Sequence, residues 1–131
     1  MMSERERLTR ECWSALSQGD LEAIEHSLAP DARWHAVEDG PWNCEDRRTI
    51  LRVLADNRAS GRLAGEIETV TDLERCAVVG FRPRHAGDGG WPLDDGIRYV
   101  VVSTRDGLIC ELKGCPDRAG AFAYAGRAQL A

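Results

Sequence analysis

The sequence predicts one α+β domain, with helices packed on a curved and mostly antiparallel sheet. Two observations carry that expectation. Apolar residues recur at helical spacing through most of the first 60 positions, with one short extended segment inserted. From about residue 65 the pattern changes to short runs rich in Val, Ile, Thr, Phe and Tyr, separated by turn residues. Helices followed by a meander point to an α+β architecture rather than alternating β–α units.

The first helix should begin near residue 4, because Ser3 and Glu6 have the S-x-x-E spacing of a capping box. Leu8, Cys12, Ala15 and Leu16 then share one face, and Gly19 ends it. Asp20 is a ready N-cap for a second helix burying Leu21, Ile24 and Leu28, with Pro30 as its stop. A first strand is expected over Ala32 to Val37, followed by a turn at Glu38-Asp39-Gly40-Pro41. Asn43 or Asp46 can cap a third helix, whose apolar stripe is Ile50, Leu51, Val53 and Leu54 and which fades by Gly61.

Strands follow at Glu66 to Leu73, Arg75 to Arg82, Gly96 to Thr104 and Leu108 to Cys115. Asp106-Gly107 marks a tight hairpin turn. Ala86 to Pro92 is too rich in glycine for a strand and reads as a long hairpin loop. Asp117 can cap a short Ala-rich closing helix through Tyr124. The expected organisation is a single domain over 1–126 and a short tail over 127–131, with no internal repeat.

Composition narrows the function classes. Of 131 residues, 43% are apolar and 30% charged, which is globular rather than disordered or membrane composition. The net charge of −5 argues against a nucleic-acid partner, since no basic stripe is available to displace phosphate counterions. The charged amino terminus has no apolar core of a signal peptide, and no apolar run is long enough to span a membrane. The expected location is therefore cytoplasmic. Cys12, Cys44, Cys76, Cys110 and Cys115 show no C-x-x-C spacing and read as reduced, mostly buried thiols. Three dispersed histidines form no metal-binding pair, the glycine-rich loop lacks the Gly-Lys-Ser/Thr of a phosphate loop, and there is no serine nucleophile elbow. Neither metal nor cofactor is expected.

Two stretches carry a family likeness. Ala15 to Ile24 contains the small-polar-Gly-Asp break at Ser17-Gln18-Gly19-Asp20, and Asp31-Ala32-Arg33-Trp34-His35 opens the first strand. Together with Asp106-Gly107-Leu108-Ile109 and Asp117-Arg118-Ala119, they resemble SnoaL-like members of the nuclear transport factor 2-like superfamily. The resemblance covers nearly the whole chain as an order of elements. It implies a conical fold in which three N-terminal helices lie against a strongly bent sheet around a deep apolar pocket, with a short C-terminal helix. It also implies a homodimer formed through the exposed sheet face. Members include polyketide cyclases, ketosteroid isomerases, dehydratases and non-catalytic binding modules, and fold alone does not choose among them.

Three residues are candidates for catalysis. His35 carries an imidazole, a group that can take a proton from carbon beside a carbonyl. Strand alternation separates it from Trp34, so it points outward if Trp34 lines the core. Asp39 follows the first strand much as the general base does in ketosteroid isomerases, but a solvated turn carboxylate explains it equally well. Tyr99 can donate to a developing oxyanion, although packing alone also accounts for it. SnoaL-type cyclases carry an acid on the last strand, and the position nearest to it here is Gly114, which departs from the family pattern. Trp13, Trp34, Trp42 and Trp91 are the candidate ligand-binding residues, the last two at a rim or lid. The expected ligand is a small apolar or aromatic molecule. The first reading is ligand capture in the cone without clear catalytic residues. The alternative is a cofactor-independent isomerase, cyclase or dehydratase working by proton transfer on a carbonyl compound.

Overall fold

The computed structural model describes residues 2–38, 40–41, 43–56, 65–83 and 96–130. Asp39, Trp42, Trp91 and the expected loop over Ala86 to Pro92 lie outside the described residues.

Helix α1 runs Glu4–Gln18 and is fixed at both ends as its sequence dictates. The Ser3 hydroxyl accepts from the Glu6 backbone N–H at 3.0 Å. Gly19 takes the left-handed conformation at φ 70°, which places its N–H against the last-turn carbonyls. Asp20 caps α2 (Leu21–Ser27), accepting from the Ala23 N–H. Strand β1 follows without a loop and spans Leu28–His35, starting four residues earlier than the alternation suggests. Leu28 therefore does not extend the helix but lies opposite Ile109, 1% exposed. Pro30 disfavours helix at Ala29, and its missing N–H is tolerated because β1 is an edge strand. Helix α3 covers Arg47–Asp56, with Asp46 rather than Asn43 as its cap: the Thr49 N–H donates to Asp46 Oδ1 at 2.8 Å.

Strands β2 (Gly65–Asp72), β3 (Cys76–Pro83), β4 (Arg98–Arg105) and β5 (Leu108–Cys115) complete a five-stranded sheet in the order β1-β5-β4-β3-β2. Only β1 and β5 are parallel. Asp106 and Gly107 join β4 to β5 with φ of 55° and 77°, the two positive angles of a type I′ turn. Helix α4 covers Arg118–Leu130 and continues past Tyr124. Its first turn is held by Asp117, whose Oδ1 accepts from the Gly120 N–H at 2.6 Å.

The sheet has two covered faces. The inner face packs Val79, Phe81, Val100, Val102, Ile109 and Leu112 against α1, α2 and α3, through Cys12, Trp13, Ile24 and Ile50. The outer face carries a second cluster, in which Cys76, Val78, Val101 and Cys115 meet Ala121 and Ala125 of α4. Helices therefore lie on both sides of the sheet, not on one. Alternation explains the division, because neighbouring residues of a strand face opposite ways. Arg5 secures the entry of α1: it donates to Asp72 Oδ1 and the Leu73 carbonyl, both at 2.7 Å, and to Thr104 Oγ1 at 3.0 Å.

Candidate functional site

The strand register gathers a chemically mixed patch at one end of the inner face. Phe81 of β3 stands opposite Arg98 of β4, and Val100 stands opposite Gly114 of β5. Trp34 of β1 also packs, partly buried, against the inner core, but in the row of Leu112, Val102, Ala77 and Asp72 and not at this end. Trp13 of α1 meets this end from above, its ring set edge-on to Phe81 at 5.5 Å between centroids. Trp13 is 2% exposed and Arg98 1% exposed, so an indole and a guanidinium are both withdrawn from water here. A glycine at 114 leaves the floor beside Val100 without a side chain.

This end is poor in groups that exchange protons. Among the described strand residues, the one carboxylate with inner-face phase is Asp72, at the far end of β2, where Arg5 holds it. The thiols on the helix side are too well buried to ionise readily. Burial pushes Cys12 up to about 12, and Cys44 is also raised, chiefly by burial. The patch is apolar and aromatic, and the Trp13 indole N–H stands in it as a buried donor.

The sequence candidates divide between the faces. Trp13 and Trp34 are on the inner side. His35 has the opposite phase to Trp34, standing beside Lys113, and its Nε2 lies 2.7 Å from Glu45 Oε1. Tyr99 belongs to the outer cluster with Val101, its ring lying over Gly80. Its ring therefore lies on the α4 side of the sheet, opposite the face that α1, α2 and α3 cover. Asp39, Trp42 and Trp91 fall outside the described residues.

The outer face holds a polar cluster that joins β1, β5 and α4. Glu111, 6% exposed, accepts from the Tyr124 hydroxyl at 2.7 Å and from Arg33 Nη2 at 2.8 Å. Burial, and then the bond to Glu111, pushes the Tyr124 phenol above its ordinary range. Lys113 donates to the Ala36 carbonyl at 2.7 Å. With Arg33 half exposed and α4 seated on top, this cluster fastens the helix to the sheet. Residues 33 and 111 carried no joint signal, because only the parallel pairing of β1 with β5 brings them together.

A cavity of about 350 Å³ lies elsewhere, between the start of α1 and the β4–β5 hairpin, lined by Ser3, Arg5, Thr104 and Asp106 among others. It is open, and both its arginines are already committed, Arg5 to Asp72, Leu73, Glu74 and Thr104, and Arg105 to Asp31. The inner-face patch is the better candidate on chemistry. Among the described residues no group of three His, Cys, Asp or Glu side chains is arranged to hold a metal ion. No described helix is long and apolar enough to cross a membrane.

Comparison with known proteins agrees with this architecture. The profile of the SnoaL-like domain matches residues 9–112. No curated protein matches the chain. Among solved structures, an NTF2-like protein of unknown function from Burkholderia pseudomallei K96243 superposes with a TM-score of 0.69 at 18% identity, covering 90% of this chain and 94% of the other. A candidate polyketide cyclase from Sinorhizobium meliloti gives 0.64 at 20% identity, over 86% and 99% of the two chains. An LEH-like epoxide hydrolase of M. tuberculosis gives 0.64 at 16% identity, over 97% and 88%. At such identities the likeness extends to the fold.

Proposed function

The chain belongs to the SnoaL-like domain family, and from that premise we propose that it captures a small, largely apolar ligand between its helices and the inner sheet face, without acid–base catalysis there. One observation carries this reading. At the inner-face end formed by Trp13, Phe81, Arg98, Val100 and Gly114, no carboxylate or histidine is present among the described residues. The last-strand position nearest to the acid of SnoaL-type cyclases is Gly114. The carboxylate and ammonium of β5, Glu111 and Lys113, are engaged on the other face. Aromatic walls with a few fixed polar groups suit binding and orientation of an apolar molecule.

The test is a titration of the protein with a panel of small aromatic ketones, followed by tryptophan fluorescence and, in D2O, by proton NMR of the ketone. Saturable binding with no α-proton exchange above the buffer rate is the expected result. Exchange catalysed by the protein overturns it in favour of the proton-transfer alternative, with His35 or Asp39 as base and Tyr99 as donor. Two further parts of the proposal are a cytoplasmic location, which five free thiols suit, and a homodimer. Because α4 lies over β3, β4 and β5, a second copy would meet the outer side of β2. Sedimentation velocity decides this, and a monomer at every concentration removes the dimer.

A further inference from the structure

We infer that the ligand is an oxygen acceptor, a carbonyl compound rather than a hydrocarbon, and that the indole N–H of Trp13 is the donor that holds it. The inference rests on the ligand-capture reading and adds the chemical class. Trp13 is nine-tenths or more buried, and its Nε1 has no hydrogen-bond partner among the described residues. Native interiors leave few donors empty, and those that stay empty call for an unseen acceptor. An indole N–H donates and never accepts, so whatever completes it must bring a lone pair.

The surroundings restrict that acceptor further. The Trp13 ring is fixed edge-on against Phe81, which limits the directions in which its N–H can aim. Phe81 is the register partner of Arg98, so a buried cation stands at the same end of the same face. A lone buried N–H donor favours the negative end of a C=O dipole and gives nothing to a hydrocarbon of equal shape. A buried water is the competing occupant, and it would leave the protein indifferent to a carbonyl.

A matched pair of probes separates these cases: 2-acetylnaphthalene and 2-ethylnaphthalene, alike in size and differing in the carbonyl. Affinities are measured for the wild-type protein and for Trp13→Phe, which keeps an aromatic ring and removes the N–H. The expected result is that Trp13→Phe weakens acetylnaphthalene about five- to tenfold, the scale of one net hydrogen bond, and leaves ethylnaphthalene within about twofold. A second reading needs no variant. In the wild-type protein, the indole N–H resonance with contacts to Phe81 should move downfield with acetylnaphthalene and not with ethylnaphthalene. If both probes weaken equally, or that resonance does not discriminate, the donor assignment falls while ligand capture stands. If neither probe binds the wild-type protein, the capture reading falls and takes the assignment with it.

Discussion

Replacing Tyr124 by Phe tests whether α4 is held to the sheet as described. The ring stays and only the hydroxyl is lost, so the apolar packing of α4 on Cys76, Val101 and Cys115 is untouched. The lost bond is a 2.7 Å donation to Glu111, a carboxylate with 6% exposure. Hydrogen bonds to charged groups contribute about 1.5–3 kcal/mol. Arg33 remains on the other carboxylate oxygen, but its side chain is 50% exposed and gives limited compensation. The expected loss is therefore about 1.5–3 kcal/mol. For a domain of this size that lowers Tm by roughly 5–12 °C. Urea unfolding gives the free energy directly, and an unchanged m-value would show that the compactness of the two states is unaltered.

A pH arm separates this bond from simple packing. The Tyr124 phenol is raised above its ordinary 10.0 by burial, then by the bond to Glu111 and by its charge. A group whose folded pKa is raised keeps its full contribution below the unfolded value and loses it as pH climbs beyond that value. Wild-type stability should accordingly decline above about pH 10, and the decline should be shallower in Tyr124→Phe. A loss below about 0.5 kcal/mol, with an alkaline limb identical to wild type, would refute the latch.

The five thiols should resist modification. Cys12 at about 12 against an ordinary 9.0 has about a thousandfold fewer thiolates at a given pH, and burial raises the other four as well. Ellman titration at pH 8 should find Cys12 inert until denaturant is added, and rapid labelling of Cys12 in the native protein would contradict its place in the core. Two glycine substitutions should have opposite signs. At Gly80 a methyl would stand 2.8 Å from Thr69 Oγ1 and 3.2 Å from the Tyr99 ring, so Gly80→Ala should cost about 1–3 kcal/mol. At Gly126 of α4 nothing lies within 4 Å, so Gly126→Ala should add about 1 kcal/mol of helix propensity. Thermal melts of the pair suffice, and equal effects would mean that one of the two environments is misassigned.

What the sequence made legible was whatever is local. The capping box at Ser3 and Glu6, the left-handed Gly19 and the Asp-Gly turn each depend on a few consecutive residues. The start of β1 was missed because Leu28 is apolar at helical spacing from Ile24, and its partner, Ile109, is far along the chain. Alternation correctly separated Trp34 from His35. It could not say which set meets the helices, since that depends on packing between distant elements. Tyr99 illustrates this. Its set is the one α4 covers, and Tyr124, Glu111 and Arg33 meet there only after the fold is complete. Trp13 was legible as a ligand candidate from residue type, but its empty donor belongs to the three-dimensional structure.

The chemistry of the inner face depends on one irregularity in β5. Ile109 stands opposite Thr104 and packs inward, whereas Glu111 stands opposite Ser103 and turns outward. Ile109 and Glu111 are two apart and would share a face in a regular strand. The register shift between Ser103 and Thr104 makes Cys110 an extra residue, and it reverses the phase of everything after it. Without that bulge, Glu111 and Lys113 would enter the helix-covered interior and Leu112 would leave it. A carboxylate and an ammonium would then lie on the face that now carries Leu112 and Gly114. With the bulge, the carboxylate serves α4, and the interior retains an indole, a guanidinium and aromatic rings. One inserted position in an edge-proximal strand thus decides whether this face carries Glu111 and Lys113 or Leu112 and Gly114.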